Sequence, residues 1–401
     1  MSDRKKLMIL GASILQCPAI EKATEMGIEV IAADMNPAAI GFDVAGVVKE
    51  VISTIDTPAI LEAAKRHRID GIMTLASDMP MQSVAAVSRE LGLVGVSEDT
   101  ALKATNKAVM RDALAACAVP VPLYYRVSGK ETFYEAVEKV RAAGFRCIVK
   151  PADNSGSRGV KLLETDSDLD QVYAYAATYS RSGEIVVEEF MEGPEVSVET
   201  LAVDGLVHVI QITDKQTTGA PYFVESGHSQ PSLLSEAEQE AIKKVTIAAN
   251  KAVGIENGPS HTEIKVTADG PKIVEIGARL GGDCITTHLV PLSTGVDMVE
   301  ASIRIALGEK PDLNPKWSKG SAIRYLKTEV GTIRAIRGVE DAAAVPGVVQ
   351  TSIVHGVGEQ IGVIKSSVDR AGFVITQAET VECAIDAAIK AVNMIEVEVS
   401  R

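Results

Sequence analysis

The chain has 401 residues, enough for two or three domains of ordinary size, and 46% of them are apolar, which excludes a disordered chain. Its formal charge of −14 disfavours nucleic acid or an anionic membrane as the main partner. No stretch approaches the ~20 consecutive apolar residues of a membrane-spanning helix, and the five cysteines are widely spaced with no CxxC, which suits free buried thiols in a reducing cytoplasm.

The first hundred residues alternate strand and helix signals. Leu7 to Leu10 read as a strand ending in Gly11-Ala12-Ser13, Pro18 to Met26 as a helix closed by Gly27, and Ile28 to Ala33 as a second strand. Thr57 to Arg68 follow as a helix and Gly71 to Leu75 as a strand. This rhythm predicts a parallel sheet flanked by helices. The Gly-Ala-Ser turn is not GxGxxG, which argues against a dinucleotide-binding dehydrogenase. Residues 100–122 read as one helix stopped by Pro120, and Arg146 to Pro151 as a strand.

A loop rich in Gly and Ser, Asp153 to Gly159, follows, and then a strand from Val160 to Leu163. Backbone N–H groups of small residues can meet phosphate oxygens, although a mobile hairpin loop would have the same composition. The loop lacks the GK[ST] ending of a Walker motif. Lys150 stands in the apolar strand Cys147-Ile148-Val149-Lys150, where an ammonium needs an anion or a route to water. From Glu184 a second strand pair is expected. Glu188, Glu189, Phe190 and Met191 form a crossing able to read a base edge, and Glu195 beyond Gly193-Pro194 could bind ribose hydroxyls.

Thr213 to Pro231 read as a polar loop holding Lys215, His228 and Gln230, a candidate substrate loop, to which His288 could be added. Ser235 to Val253 form an amphipathic helix. The stretch HTEIKVTADGPKIVEIGARLGG comes next, with Glu263 and Glu275 each six residues from Asp269. A hairpin centred there sets them opposite each other, with Cβ atoms roughly 4.5–5.5 Å apart, where like charges destabilise a sheet. Ile264, Val266, Val274 and Ile276 would form the core face. A hard divalent cation resolves the repulsion, because Mg2+ favours carboxylate oxygens shared with phosphates and Mn2+ accepts the same donors. Gly277 and Arg279 continue that face. Cys284 lies close to Arg279, and is reactive if exposed beside positive charge but inert if buried. Residues 308–319 read as a linker, and Val381 to Met394 as a late helix.

Taken in order, Asn106-Lys107 with Arg111, IVKP at 148–151, the loop 153–159, VEEFMEGPEVSVE at 187–199 and Glu263, Glu275 and Arg279 resemble the ATP-grasp superfamily over essentially the whole chain. The tail SAIRYLKTEVG…DRAGFVIT resembles the C-terminal domain of its biotin carboxylase-like branch. The resemblance implies an α/β and α+β fold. Its parts would be an N-terminal α/β domain (1–105), an ATP-grasp domain (106–310, with a lid at about 122–200) and a small C-terminal domain (320–401).

It also implies roles. Lys107 and Lys150 would contact ATP phosphates, Lys150 also near the adenine, under a loop that includes Ser155, Gly156 and Ser157. Glu188, Phe190 and Met191 would line the base pocket and Glu195 the ribose. Glu263 and Glu275 would carry Mg2+, and Arg279, with Lys150, would serve the transferred phosphoryl group. Gly277 stands where many members have asparagine, and EIGARLGG is similar to the amino-acid ligases. The implied activity is a carboxylate–amine ligase, a cytoplasmic homodimer acting on small molecules. A bicarbonate-using carboxylase and a nucleotide-binding protein without ligation are the alternatives.

Overall fold

The computed structural model describes residues 4–156 and 158–400; the call on Ser157 lies outside them. Four parallel strands open the chain, in the order Val48–Val51, Glu29–Asp34, Lys6–Leu10 and Gly71–Met73. Leu7 to Leu10 are buried without interruption, as befits a parallel strand covered on both faces. The chain leaves the strand Lys6–Leu10 toward opposite neighbours, so the loops after it and after Gly71–Met73 flank a topological switch point. Ligands of open α/β sheets bind at such points.

The single helix expected over 100–122 is two, Glu98–Thr105 and Lys107–Ala116. Asn106 breaks it with extended backbone, and its side chain accepts from Ala108 N at 2.9 Å and Val109 N at 3.1 Å. An Asn cap satisfies the free amides of a new first turn, and it leaves Lys107 as that helix's first residue.

An antiparallel sheet of Tyr124–Val127, Ile185–Glu189, Cys147–Pro151 and Lys161–Leu162 follows. Helices Lys130–Ala142 and Leu169–Tyr179 pack on it around Phe133, Val137, Val149 and Val187. This core is separate from the rest, as suits a lid. The strand pair expected from Glu184 is divided: Ile185–Glu189 stays in this sheet, and Glu195–Val203 joins another.

That other sheet has eight antiparallel strands in the order Gly270–Gly277, Gly258–Thr267, Glu195–Val203, Leu206–Thr217, Glu225–Gln230, Gly320–Tyr325, Gly372–Ala378 and Val348–Ile353. The substrate loop expected over 213–231 is therefore mostly a hairpin. Its polar inward residues satisfy one another, as where Gln230 Nε2 donates to Thr213 Oγ1 at 2.8 Å. The sheet also runs through the expected boundary at 310–320, because Glu225–Gln230 pairs with Gly320–Tyr325. The C-terminal segment keeps a small core of its own around Leu326, Ile333, Ile361 and Ala391. Among the described residues no helix is long and apolar enough to cross a membrane.

Candidate active site

Glu263 and Glu275 do face each other across their hairpin. The turn is not centred on Asp269, however. Pairing starts at Thr267 and Gly270 and runs evenly to Ile264 and Ile273, and then a bulge intervenes before Glu263 meets Glu275. Without that extra residue, Glu263 would oppose Val274. The bulge also corrects the core face: Ile273 is buried with Ile264, Val266 and Ile276, while Val274 lines the cleft. Bulges re-aim side chains in this way beside functional sites.

One cleft collects Lys107, Lys150, Asn154, Ser155, Gly156, Arg158, Phe190, Met191, Glu195, Lys215, Glu263 and Glu275, with Phe223 and Glu225 from the neighbouring hairpin. Lys107 Nζ lies 3.0 Å from Glu275 Oε1 and donates to Asn154 O at 2.7 Å, which ties the glycine-rich loop to the carboxylate pair. Lys215 Nζ lies 3.2 Å from Glu263 Oε2, 2.8 Å from Glu195 Oε1 and 3.3 Å from Glu225 Oε1. Burial works against its charge, but these three carboxylates hold its pKa well above the ordinary lysine value. Burial likewise opposes ionisation of Glu263, and Lys215 and His261 reverse this, holding its pKa well below the usual carboxylate range.

Each glutamate of the pair thus has one oxygen on an ammonium, Glu275 Oε1 on Lys107 and Glu263 Oε2 on Lys215. The remaining oxygens are Glu275 Oε2 and Glu263 Oε1, the latter 3.6 Å from His261 Nε2, and as hard oxygen donors they suit Mg2+. Among the described residues no group of three or more His, Cys, Asp or Glu could hold a metal. An ion here would take two carboxylates and complete its shell from phosphate and water, the usual habit of Mg2+.

Several sequence-predicted residues lie elsewhere. Glu188 does not line the cleft. It is fully buried and accepts from Arg111 Nε at 2.6 Å, with Lys150 Nζ 2.9 Å from its other oxygen. Burial alone would raise its pKa, but Arg111 and Lys150 bring it down to about 2. Its neighbour Glu189 lines the cleft instead, bound by Lys272 Nζ at 2.6 Å. Gly277 and Arg279 sit against Asp78, in the loop that follows strand Gly71–Met73, where the charges of Glu275 and Glu263 also act on Arg279. Arg279 Nε donates to Asp78 Oδ1 at 2.8 Å and Nη2 to Oδ2 at 3.3 Å. A Cβ on Gly277 would stand 3.1 Å from Asp78 Oδ1 and 3.4 Å from the Arg279 guanidinium, so the missing asparagine leaves room for this pair.

His228 is buried with its Nε2 3.3 Å from Asp283 Oδ2, and Asp283 accepts a fork from Arg370 at 2.7 and 2.8 Å. His288 lies 2.8 Å from Thr287 Oγ1. Neither histidine lines the cleft. Burial pushes the Cys284 thiol up to about 12, with Asp283 adding to the effect, so it is not an activated thiol. The cysteines also do not form one buried set, since Cys117 and Cys383 are exposed.

Sequence reasoning missed Asp78, His261, Glu199, Glu225 and Phe223. His261 lies two residues before Glu263 on the same strand face, which is the signal that could have found it. Its Nδ1 is 2.6 Å from Glu199 Oε1 and its Nε2 3.6 Å from Glu263 Oε1. Burial would lower its pKa, but Glu199 and Glu263 raise it to about 9. Asp78 could have been sought at the switch point.

The ATP-grasp domain family matches residues 143–287, and the L-amino acid ligase C-terminal domain 2 family matches residues 324–400. The formate-dependent phosphoribosylglycinamide formyltransferase of Aliivibrio fischeri is 26% identical over 99% of this chain and 98% of its own length. The alanine–anticapsin ligase of Bacillus subtilis is 27% identical over 63% of this chain and 57% of its own. The L-amino acid ligase from Bacillus licheniformis has a similar solved structure, with a TM-score of 0.85 and 22% identity over 100% of both chains. The chain belongs to the ATP-grasp superfamily, in the ligase branch that carries the L-amino acid ligase C-terminal domain.

Proposed function

We propose that this protein joins a small carboxylate to an amine at the expense of ATP, releasing ADP and phosphate. The observation that carries this reading is the opposed pair Glu263 and Glu275, with the ammonium groups of Lys107, Lys150 and Lys215 around the same cleft. The amino-acid ligase domain over 324–400 supports a carboxylate–amine reaction. In the first step a substrate carboxylate oxygen bonds to the γ-phosphorus and the bond to ADP breaks, giving an acyl phosphate. In the second the amine nitrogen bonds to the acyl carbon, phosphate leaves and the amine loses a proton.

Carboxylate and triphosphate repel, so charge neutralisation is the main requirement. Mg2+, held by Glu263 and Glu275, would supply part of it. Lys107 and Lys150 would orient the phosphates, Glu195 the ribose, and Arg279, steadied by Asp78, the phosphoryl group in transfer. Ser155 and Gly156 belong to a loop that would keep water from the acyl phosphate. Glu188 would act through the cations it holds in place.

The test is a phosphate-release screen over paired amines and carboxylates, with product masses measured. Formate belongs among the carboxylates, given the full-length match to a formate-dependent enzyme. ADP formation that needs both substrates, and that Glu275→Gln abolishes in a folded protein, supports ligation. Cleavage driven by bicarbonate alone would point to a carboxylase. Nucleotide binding without ADP release would point to a non-catalytic protein.

A further inference from the structure

The tip of the hairpin between Leu206–Thr217 and Glu225–Gln230 has no role in the reaction proposed above. It is closed by its own hydrogen bonds: Thr218 N donates to Val224 O at 2.8 Å, Phe223 N to Gly219 O at 2.9 Å and Val224 N to Thr218 Oγ1 at 3.1 Å. Within it Phe223 has φ of +51°. In this left-handed region a Cβ crowds the following carbonyl, and glycine or asparagine is the usual occupant. A bulky aromatic there is an outlier that its surroundings must hold in place, and such outliers cluster at ligand sites.

The ring does not project into solvent. It is half-buried and lines the same cleft as Lys107, Lys150, Glu263 and Glu275. Its centroid lies 5.9 Å from that of Phe190, with the planes at 42°. Phe190 is held from another direction by Arg146, whose guanidinium carbon lies 5.2 Å from its ring centroid. Most of the cleft lining is charged or polar. Its large apolar side chains are Ile148, Val160, Phe190, Met191, Phe223 and Val274, from five separate chain segments. The backbone strain and the ring's place in the cleft are independent observations: the strain marks a position held for a ligand site, and the ring beside Phe190 points to a flat apolar ligand group.

We propose that Phe223 is a base-contacting residue, its ring covering a nucleobase in the apolar part of the cleft beside Phe190. The proposal rests on the nucleotide reading given above. Every base has a π-face, so the ring contributes affinity and leaves base choice to the polar edge contacts.

The rival account is that Phe223 merely packs on Phe190. Phe223→Gly separates the two, because glycine relieves the left-handed strain while removing the ring. Affinities for Mg-ATP and for inorganic tripolyphosphate, which has no base, are measured by calorimetry beside the thermal midpoint. The expected result is ATP affinity about ten- to a hundredfold weaker, the span for losing a base-stacking aromatic, with tripolyphosphate within about twofold. The thermal midpoint should be unchanged or higher, and Phe223→Trp should keep most of the ATP affinity. A glycine variant that binds ATP like the wild type overturns the proposal. So does one that loses both ligands equally, or one that melts lower with ATP affinity intact. A wild-type protein that binds tripolyphosphate but gains nothing from the base would overturn the nucleotide reading as well.

Discussion

Glu188→Gln should destabilise the fold, and should reach the cleft only through Lys150, which the carboxylate holds. The carboxylate has no solvent exposure and is bound by Arg111 and Lys150. Its pKa stands at about 2, against an ordinary 4.5. That gap converts to about 3 kcal/mol of folding free energy at neutral pH. Glutamine removes it and also strands the Arg111 guanidinium, itself fully buried. Removing one partner of a buried ion pair costs about 3–5 kcal/mol, so the expected loss at pH 7 is of that size.

The sign of the pH dependence follows from the depressed pKa. The carboxylate's contribution is complete above pH 4.5 and is lost as pH falls through about 2. Urea unfolding of wild type and variant, compared from pH 7 downward, should show a gap that is widest at neutrality and narrows below pH 4.5. A gap under about 1 kcal/mol at pH 7, or one that ignores pH, would refute the reasoning. A variant of wild-type stability but weakened ATP binding would return Glu188 to the wall of the cleft.

Asp78 should act through Arg279: in a double-mutant cycle of Asp78→Asn with Arg279→Gln, folding free energies should be coupled by about 1.5–3 kcal/mol, the scale of hydrogen bonds to charged groups, and additive losses would disconnect the pair. Gly277→Asn places a side chain 3.1 Å from Asp78 Oδ1; it should lower the ligation rate by about tenfold or more while nucleotide binding persists, and an unaffected rate would mean that the space is idle. In the native protein Cys117 and Cys383 should react quickly with a thiol reagent, and Cys17, Cys147 and Cys284 slowly until unfolding. Fast labelling of Cys284 would contradict its raised pKa.

What could be read in the sequence depended on whether the cause was local. Three of the four parallel strands were legible because burial on both faces leaves unbroken apolar runs, whereas the half-exposed edge strand Val48–Val51 was not. The late helix Val381–Met394 also carries a periodic pattern, whereas helices Lys130–Ala142 and Leu169–Tyr179 were not read from the sequence. The glutamate pair was found by counting from a turn, but the register rests on a bulge at Val274 that no local residue type announces. The hairpin over 213–231 was hidden because strands rich in Thr, Lys, His and Gln look solvated until their partners are known. Arg279 and Asp78 are 201 positions apart, beyond any local pattern. Lys150 shows the limit best. A charge inside an apolar run announces that it must be paired, since leaving it bare would cost several kcal/mol. Its own strand does not say whether the partner is a ligand or the protein. The answer is Glu188, a second charge in another apolar run of the same sheet, directly opposite Ile148. Two such anomalies on neighbouring strands are each other's first candidates, and only what both leave unpaired is free for a ligand. In the function proposed above Lys150 would therefore serve a phosphate while still tethered to Glu188, so Glu188→Gln should loosen the orientation of Lys150 as well as the fold.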